Sequence, residues 1–534
     1  MSSSDPAPGG TSGAPPPQPR LARAAGVIGV ATSLSRVLGL VREQVFAGLL
    51  GASPLTDAFV VAFRIPNLLR DLFAEGALSA AFVPTFTDYL TNRPRAEAFL
   101  LANRIITALC LVLGVIVLAA LAWPGPLVRG LAPGFGVDQQ RLTILMTRIM
   151  LPVLPLVSLA AVCMGMLNAE GKFGTPALAP AMFNVVAIVT GAILGLLGLP
   201  ERQVVVGWAV GTLLGAGGQL VLQMPSLHRT GFRWRARVGL RDPGVRRVGS
   251  LMAPATVGLA ATQVNIMVAT MFASHEAGAN TWLGYAFRLL YLPIGVFGVA
   301  VGTAATAGLA RKAAGQDMEG LRDTLRQALR LVAFLTIPST VGLILLARPI
   351  VRLLFEHGRF TAADTEATAA ALLFYSLGLF AYSAVKALAP AFYALERPRV
   401  PVVASLAAVA ANLALNLSLY PVLKFRGLAL GVAAAAVVNA GVLFAAFQRR
   451  YGGLLRRDLA VMLAKVSAAA VLMGVVVWGS ARFLERAVGT RGLGAAALVA
   501  LVPVVVGVLA YGAACLALRV PEVDAARRVL ARFR

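Results

Sequence analysis

The sequence predicts an all-α polytopic membrane protein of about fourteen transmembrane helices, and composition, run length and charge placement predict it. The chain has 534 residues, is 58% hydrophobic, has a mean hydropathy of +0.79 and is only 13% charged. Soluble domains run nearer 45–50% apolar and about 25% charged, and a compact core of this size cannot hide so much apolar surface. Gly stands at 53, which suits closely packed membrane helices.

From residue 22 onward, apolar runs of about twenty residues, the length a bilayer demands, alternate with short polar breaks. The first twenty residues are mostly Ser, Gly, Pro and Ala, so 1–21 is expected to be a disordered tail and not a cleavable signal. Helices are predicted at 22–50, 54–91, 96–124, 140–168, 176–198 and 203–224, then at 247–274, 280–311, 320–346, 362–395, 400–421 and 426–448, and finally at 457–484 and 492–518. The resulting organisation is an N-terminal six-helix bundle (22–224), a basic cytoplasmic linker (225–246), a C-terminal six-helix bundle (247–450), two additional helices (451–519) and a basic tail (520–534). A faint internal echo supports two bundles of one orientation: the turn ending in Pro176 resembles the turn ending in Pro401, 225 residues later. Parallel repeats of this kind place a transport site at their interface.

Lys and Arg number 48 against 23 Asp and Glu, a formal charge of +25. Nucleic acid is not the expected partner, because the basic residues sit in breaks between apolar runs. Arg93, Arg95, Lys172, the run from Arg229 to Arg247, Arg311, Lys312, Arg397, Arg399, Arg449 and Arg450 fall in alternate breaks, while 51–56 and 275–279 hold no Lys or Arg. The positive-inside rule then puts both termini in the cytoplasm. The break around Arg348, Arg352 and Arg359 runs against the pattern. Cys110, Cys163 and Cys515 lie in apolar runs and read as packing residues, and His228, His275 and His357 share no ligand spacing, so neither metal nor cofactor is expected.

The informative residues are charges inside predicted spans. The first helix holds Ser35, Arg36, Arg42 and Glu43; the second holds Asp57, Arg64, Asn67, Arg70, Asp71 and Glu75; Arg288 and Lys386 lie in the eighth and tenth. Each charge at mid-membrane costs roughly 2.5–3.5 kcal/mol even on the mild insertion scale, so such residues face a wet cavity or each other. Arginines suit phosphate, because the guanidinium cannot discharge and its planar fork matches phosphate oxygens. Arg36 and Arg42 are about 120° apart around a helix, so both can flank one cavity. Gly39 between them allows a bend, and Pro66 is expected to break the second helix mid-membrane. The alternative is structural pairing, Arg42 with Glu43 and Arg70 with Asp71, or snorkelling to the interface. Lys386 fits either lining or bracing. Thr361 and Asp364 have capping-box spacing at the start of the tenth helix.

These residues carry a resemblance. Ser35-Arg36-Val37-Leu38-Gly39-Leu40-Val41-Arg42-Glu43, Thr56-Asp57-Ala58-Phe59, Arg64-Ile65-Pro66-Asn67-Leu68-Leu69-Arg70 and the run Phe73 to Pro84 resemble the opening of the MurJ (MviN) lipid II flippase family, as do Phe355 to Asp364 and Val385 to Tyr393. The resemblance implies the fold of the multidrug/oligosaccharidyl-lipid/polysaccharide exporter superfamily: two bundles around a central cavity, plus two C-terminal helices lining a groove for a lipid tail. It implies lipid II, the undecaprenyl-diphosphate-linked peptidoglycan precursor, as substrate. It also implies that Arg36, Arg42, Arg70 and Arg288 are the important cavity cations and that Asp57 and Glu75 are important acids, in agreement with diphosphate binding by the four arginines; Ser35, Glu43, Asp57, Arg64, Asn67, Glu75 and Lys386 are the further candidates for cavity or gating roles. The chain departs from the family where some relatives place an acid and it has Phe287, and where some hold sodium: Ala269, Asn412 and Asn416 supply no carboxylate there.

The expected function is therefore translocation of lipid II to the outer leaflet of the bacterial cytoplasmic membrane by alternating access, without enzymatic chemistry. The expected partners are membrane lipids and the cell-wall synthesis machinery, and the expected state is a monomer. The nearest alternative is a flippase for another polyprenyl-diphosphate-linked oligosaccharide, O-antigen or exopolysaccharide. A membrane transferase is disfavoured by the lack of a metal-binding acidic cluster in the sequence, and a scaffold gains nothing from buried arginines.

Overall fold

The computed structural model describes residues 19–71, 77–490 and 492–523. Glu75, one of the expected site residues, lies outside the described residues, as do most of the two tails.

Helices follow the apolar runs. The N-terminal half consists of α1 (Pro19–Leu50), α2 (Pro54–Arg70), α3 (Ala77–Asn92), α4 (Arg95–Ala122), short α5 (Pro124–Leu131), α6 (Val137–Met150), α7 (Val153–Ala169), α8 (Gly174–Leu196), α9 (Glu201–Val221) and short α10 (Met224–His228). The C-terminal half has α11 (Pro243–Ala273), α12 (Ala279–Pro293), a π-helical turn (Ile294–Gly298), α13 (Val299–Ala314), α14 (Met318–Phe355), α15 (Ala362–Ser376), α16 (Leu379–Ala394), α17 (Arg399–Leu423) and α18 (Phe425–Tyr451). Then come α19 (Arg457–Val488) and α20 (Leu493–Ala517). Counting α2 with α3, α6 with α7, α12 with α13, and α15 with α16 as one passage each gives fourteen. Among the described residues ten spans are long and apolar enough to cross a bilayer, and the α15–α16 pair, bent by 43°, makes eleven. The remaining three passages are α1, α2–α3 and α11.

Local chemistry sets the ends. Ser53 caps α2 in a reciprocal box with Thr56, and Pro54 occupies the first turn, where its missing N–H costs nothing. Asp242 and Asp317 cap α11 and α14. The expected box at Thr361 and Asp364 forms and starts α15.

Three expectations need correction. Pro66 does not break α2, which continues to Arg70; a proline forfeits the hydrogen bond to the carbonyl four residues earlier, and one lost bond does not end the helix. The middle of the second predicted helix, 72–76, lies outside the described residues. The predicted helix 140–168 divides at Leu151–Pro152 into α6 and α7, where proline lacks an amide. The ninth helix runs to Phe355, so Arg348 and Arg352 belong to its last turns, paired with Glu366 and Glu356, and not to a loop.

Packing follows the division. Phe82, Phe86, Leu101 and Cys163 anchor a core among α3, α4 and α7, and Leu309, Leu325, Phe392 and Phe447 anchor one among α13, α14, α16 and α18. The largest cluster joins the halves, with Phe46, Phe59 and Trp208 on one side and Tyr285, Phe355 and Phe360 on the other. The α19–α20 pair packs on α14 through Met462, Val466, Met473 and Tyr511, whose hydroxyl donates to the Phe334 carbonyl at 2.8 Å. Outward faces stay apolar: Val115 and Leu118 on α4, Val475 and Trp478 on α19, Val505 and Leu509 on α20. Exposed apolar bands this extensive are what lipid covers.

The linker between the halves is a flat strap. Residues 232–239 form no helix or strand and run along α4. The Asn103 side-chain amide receives the Arg235 N–H at 2.9 Å and donates to the Arg233 carbonyl at 3.4 Å. The Thr107 hydroxyl accepts from the Arg237 N–H at 3.1 Å, and Arg104 pairs with Asp242 at the strap's end.

Candidate functional site: a cationic cavity between the halves

A cavity of about 940 Å³ lies between the two halves, near the upper end of the range for ligand sites. One wall comes from α1, α2 and α7 to α9, the other from α11, α12, α15, α16 and α18. Among the described residues the charged side chains lining it are Arg42, Glu43, Arg64, Arg70, Asp71, Arg288 and Lys386, five cations against two carboxylates, an excess of three positive charges.

The ion pairing expected as an alternative to cavity lining coexists with it. Glu43, 8% exposed, sits between two guanidiniums: Arg42 from its own helix at 2.5 Å and Arg288 from α12. This carboxylate ties the two halves together across the cavity and holds two like charges side by side, which without it would repel. Arg70 pairs with Asp71 at 3.1 Å, and Gln263 of α11 donates to the other Asp71 oxygen at 3.1 Å, a second bridge between the halves. The Arg64 Nε is buried without a hydrogen-bond partner. Arg42 also lies over the Phe183 ring, 5.4 Å from its centroid. Ser35 and Asn67 line the cavity as well, and the Ser35 carbonyl accepts from Asn184 at 3.1 Å.

Two expected residues sit elsewhere. Arg36 is exposed and is not among the lining residues; its guanidinium lies beside Gly295 in the π-helical turn. Asp57 is fully buried at one end of the cavity. It accepts from the Gly278 N–H at 2.7 Å, the Thr281 N–H at 2.9 Å and the Thr281 hydroxyl at 2.7 Å. An α2 carboxylate thus caps the N-terminus of α12, where the helix dipole favours negative charge.

The same end carries further clasps between the halves. The Arg359 N–H donates to the Gly48 carbonyl at 2.9 Å, and Arg359 pairs with Glu201. His357 Nε2 lies 3.0 Å from the Gln44 carbonyl, and the Gly134 N–H donates to Ser274 at 3.0 Å. Gly358 has φ +61°, and a Cβ there would meet the Gly48 oxygen at 2.2 Å, so side-chain-free backbone is required on this face.

Sequence reasoning placed the family's acidic helix-seven position at Ala269. Ala269 lines the cavity, but the α11 residue that meets Asn412 is Asn265, one turn earlier. Sequence reasoning also missed the aromatic part of the second wall: Phe287, Tyr291, Tyr375 and Tyr382 line the cavity around Arg288. Their spacing was available, since Phe287 and Tyr291 are four apart on one helix, but aromatic residues in an apolar run carry no mark of a cavity.

Comparisons with known proteins agree with this geometry. The family described as lipid II flippase MurJ matches residues 46–493. A probable lipid II flippase MurJ of Vibrio cholerae is 34% identical over 471 residues, covering 86% of this chain and 89% of its own. A lipid II flippase MurJ of Burkholderia cenocepacia is 33% identical over 491 residues, covering 90% and 94%. Among solved structures, a lipid II flippase MurJ in an inward closed conformation superposes with a TM-score of 0.76 at 24% identity, covering 92% of this chain and 98% of that one. An inward-facing multidrug resistance transporter of the MATE family reaches 0.61 at 18% identity, covering 80% and 98%. At those identities the two structures speak to the fold alone. With the family match over most of its length and the relatives above 30% identity, the chain belongs to the MurJ lipid II flippase family.

Proposed function

We propose that this protein carries lipid II from the inner to the outer leaflet of the cytoplasmic membrane by alternating access. The observation that carries the reading is the excess of positive charge in a cavity enclosed by membrane-spanning helices, with arginines contributed by both halves. A diphosphate is the anion that such forks grip, and the glycan beyond it needs a space of this size. Arg42, Arg70 and Arg288 take the diphosphate in this reading, with Arg64 and Lys386 adding to the field. Arg36, exposed beside the π-helical turn, meets the lipid before it enters. Ser35 and Asn67 contribute polar contacts, and Glu43 keeps Arg42 and Arg288 together until phosphate oxygens compete for them.

The cycle needs the halves to part at one end and then at the other. Asp57 belongs to the gate in this reading: its three hydrogen bonds to α12 hold one end shut, and with the termini and the basic loops in the cytoplasm that end is the outer one. The head group moves without covalent chemistry while its polyprenyl tail stays in lipid, against the α19–α20 pair. One chain encloses the whole cavity, so a monomer suffices, and the enzymes that polymerise the released precursor are the partners on the far face.

The test is rescue of a flippase-depleted strain, read with an assay of lipid II head-group accessibility on the outer face. Rescue from lysis with restored accessibility is expected. Restored surface polysaccharide without rescue from lysis would replace lipid II with another polyprenyl-diphosphate oligosaccharide.

A further inference from the structure

One face of α12 has a pattern that diphosphate recognition does not use. Asn280, Gly284, Phe287 and Tyr291 recur at helical spacing and all line the cavity, with Arg288 adjoining the row. Phe287 and Tyr291 are 36% and 50% exposed, large values for aromatic side chains inside a bundle, and that exposed surface faces the cavity. Tyr375 and Tyr382 hold Phe287 from behind, with ring centroids 5.5 and 6.4 Å away and interplanar angles of 73° and 81°. Edge-on neighbours of this kind fix a ring while leaving a face free. One turn away, a Cβ built on Gly284 meets nothing within 4 Å, so the face has a notch beside the ring. Beyond the notch Asn280, 3% exposed, has a side-chain amide nitrogen with no hydrogen-bond partner. A buried unpaired donor is unfavourable unless a ligand meets it.

We propose that this face is a carbohydrate subsite: a pyranose ring of the head group stacks on Phe287 and Tyr291, its edge enters the notch at Gly284, and a hydroxyl or acetamido oxygen accepts from Asn280. A sugar ring presents a face of C–H bonds with slight positive charge and an edge of hydroxyls. An aromatic face carries the opposite partial charge, and an amide satisfies the edge. The position fits the covalent order of the ligand. The first sugar is bonded directly to the diphosphate, and Phe287 directly precedes Arg288 while Tyr291 lies one turn beyond it. The opposite wall also presents rings beside Arg42, Glu43, Arg64 and Arg70, but Phe63 and Phe183 there are half-buried, whereas Phe287 and Tyr291 are exposed. This inference rests on the flippase reading and adds which part of the ligand each wall recognises.

The test measures affinity of the purified full chain for three probes: undecaprenyl diphosphate, the same lipid bearing the disaccharide without peptide, and the complete peptide-bearing lipid. The variants are Phe287→Ala, the ring-preserving Phe287→Tyr, and Gly284→Leu, which fills open space and so leaves the fold intact. Expected is about a tenfold weakening toward both sugar-bearing probes in Phe287→Ala and Gly284→Leu. Undecaprenyl diphosphate should stay within about twofold, and Phe287→Tyr should bind near the parent level. Equal losses on all three probes, or none on any, would overturn the subsite, as would a loss confined to the peptide-bearing probe, which would make the face a peptide contact. If the parent chain binds none of the probes, the flippase reading falls with it; if it binds all three and only the sugar discrimination is missing, that reading stands and the subsite alone is lost.

Discussion

The two walls of the cavity differ in how they carry charge. The α1–α2 side mixes signs, with Arg42, Glu43, Arg64, Arg70 and Asp71 within 30 residues of sequence, while the α12–α15–α16 side carries Arg288 and Lys386 and, among the described residues, no carboxylate. Rings line both sides, Phe63 and Phe183 on the first and Phe287, Tyr291, Tyr375 and Tyr382 on the second. The first wall bears most of the desolvation cost, and its carboxylates and the second wall's Arg288 offset it. The lesson is that intramembrane charge is held here as a cross-wall network, so neither half alone is a complete site.

The largest effect should come from emptying that network. Arg42→Ala or Arg288→Ala should each abolish rescue of a flippase-depleted strain at normal membrane abundance, because either change removes a cavity guanidinium and leaves the buried Glu43 carboxylate with one cationic partner instead of two. Normal growth of both variants would mean the walls do not act together. Next is the end that holds the walls in register. Asp57→Ala removes three accepted hydrogen bonds and leaves Gly278 and Thr281 without them, so thermal unfolding in detergent should show a loss of about 3 kcal/mol. An unchanged Tm would show that the other clasps at that end suffice. Smaller is an exchange of character between walls. Phe287→Asp places a carboxylate beside Arg288, which should draw that guanidinium from the ligand and weaken undecaprenyl diphosphate by about tenfold in a titration. Equal affinity would mean that Arg288 is fixed by Glu43 alone. Smallest is the control: Arg93→Ala breaks an exposed pair with Glu97, half-exposed on both sides, and should change stability by no more than about 0.5 kcal/mol.

Much of this was legible in the sequence because hydropathy and charge are local signals. Apolar runs set the passages, prolines and Asp or Thr caps set several ends, and the arginines in α1 and α2 stood out because water-loving groups are costly there. Arg36 and Arg42 looked equivalent, yet one faces the cavity and the other Gly295, a difference of helix rotation and neighbour that spacing alone does not decide. Asp57 read as a cavity or gating acid without its partners, which lie 221 and 224 residues away in a loop and a helix start, and long-range hydrogen bonds leave no trace in local pattern. The π-helical turn after Pro293 and the Asn265–Asn412 contact were hidden for the same reason: each depends on which helix happens to pack alongside.

The strap over α4 has a practical consequence for how the polypeptide can be divided. Its backbone is gripped by Asn103 and Thr107 on one side of Arg237 and its far end by Arg104 through Asp242. A chain severed between Arg237 and Val238 would therefore keep both new termini moored to the same helix. That makes this junction the natural seam for producing the molecule as two co-expressed fragments that reassemble.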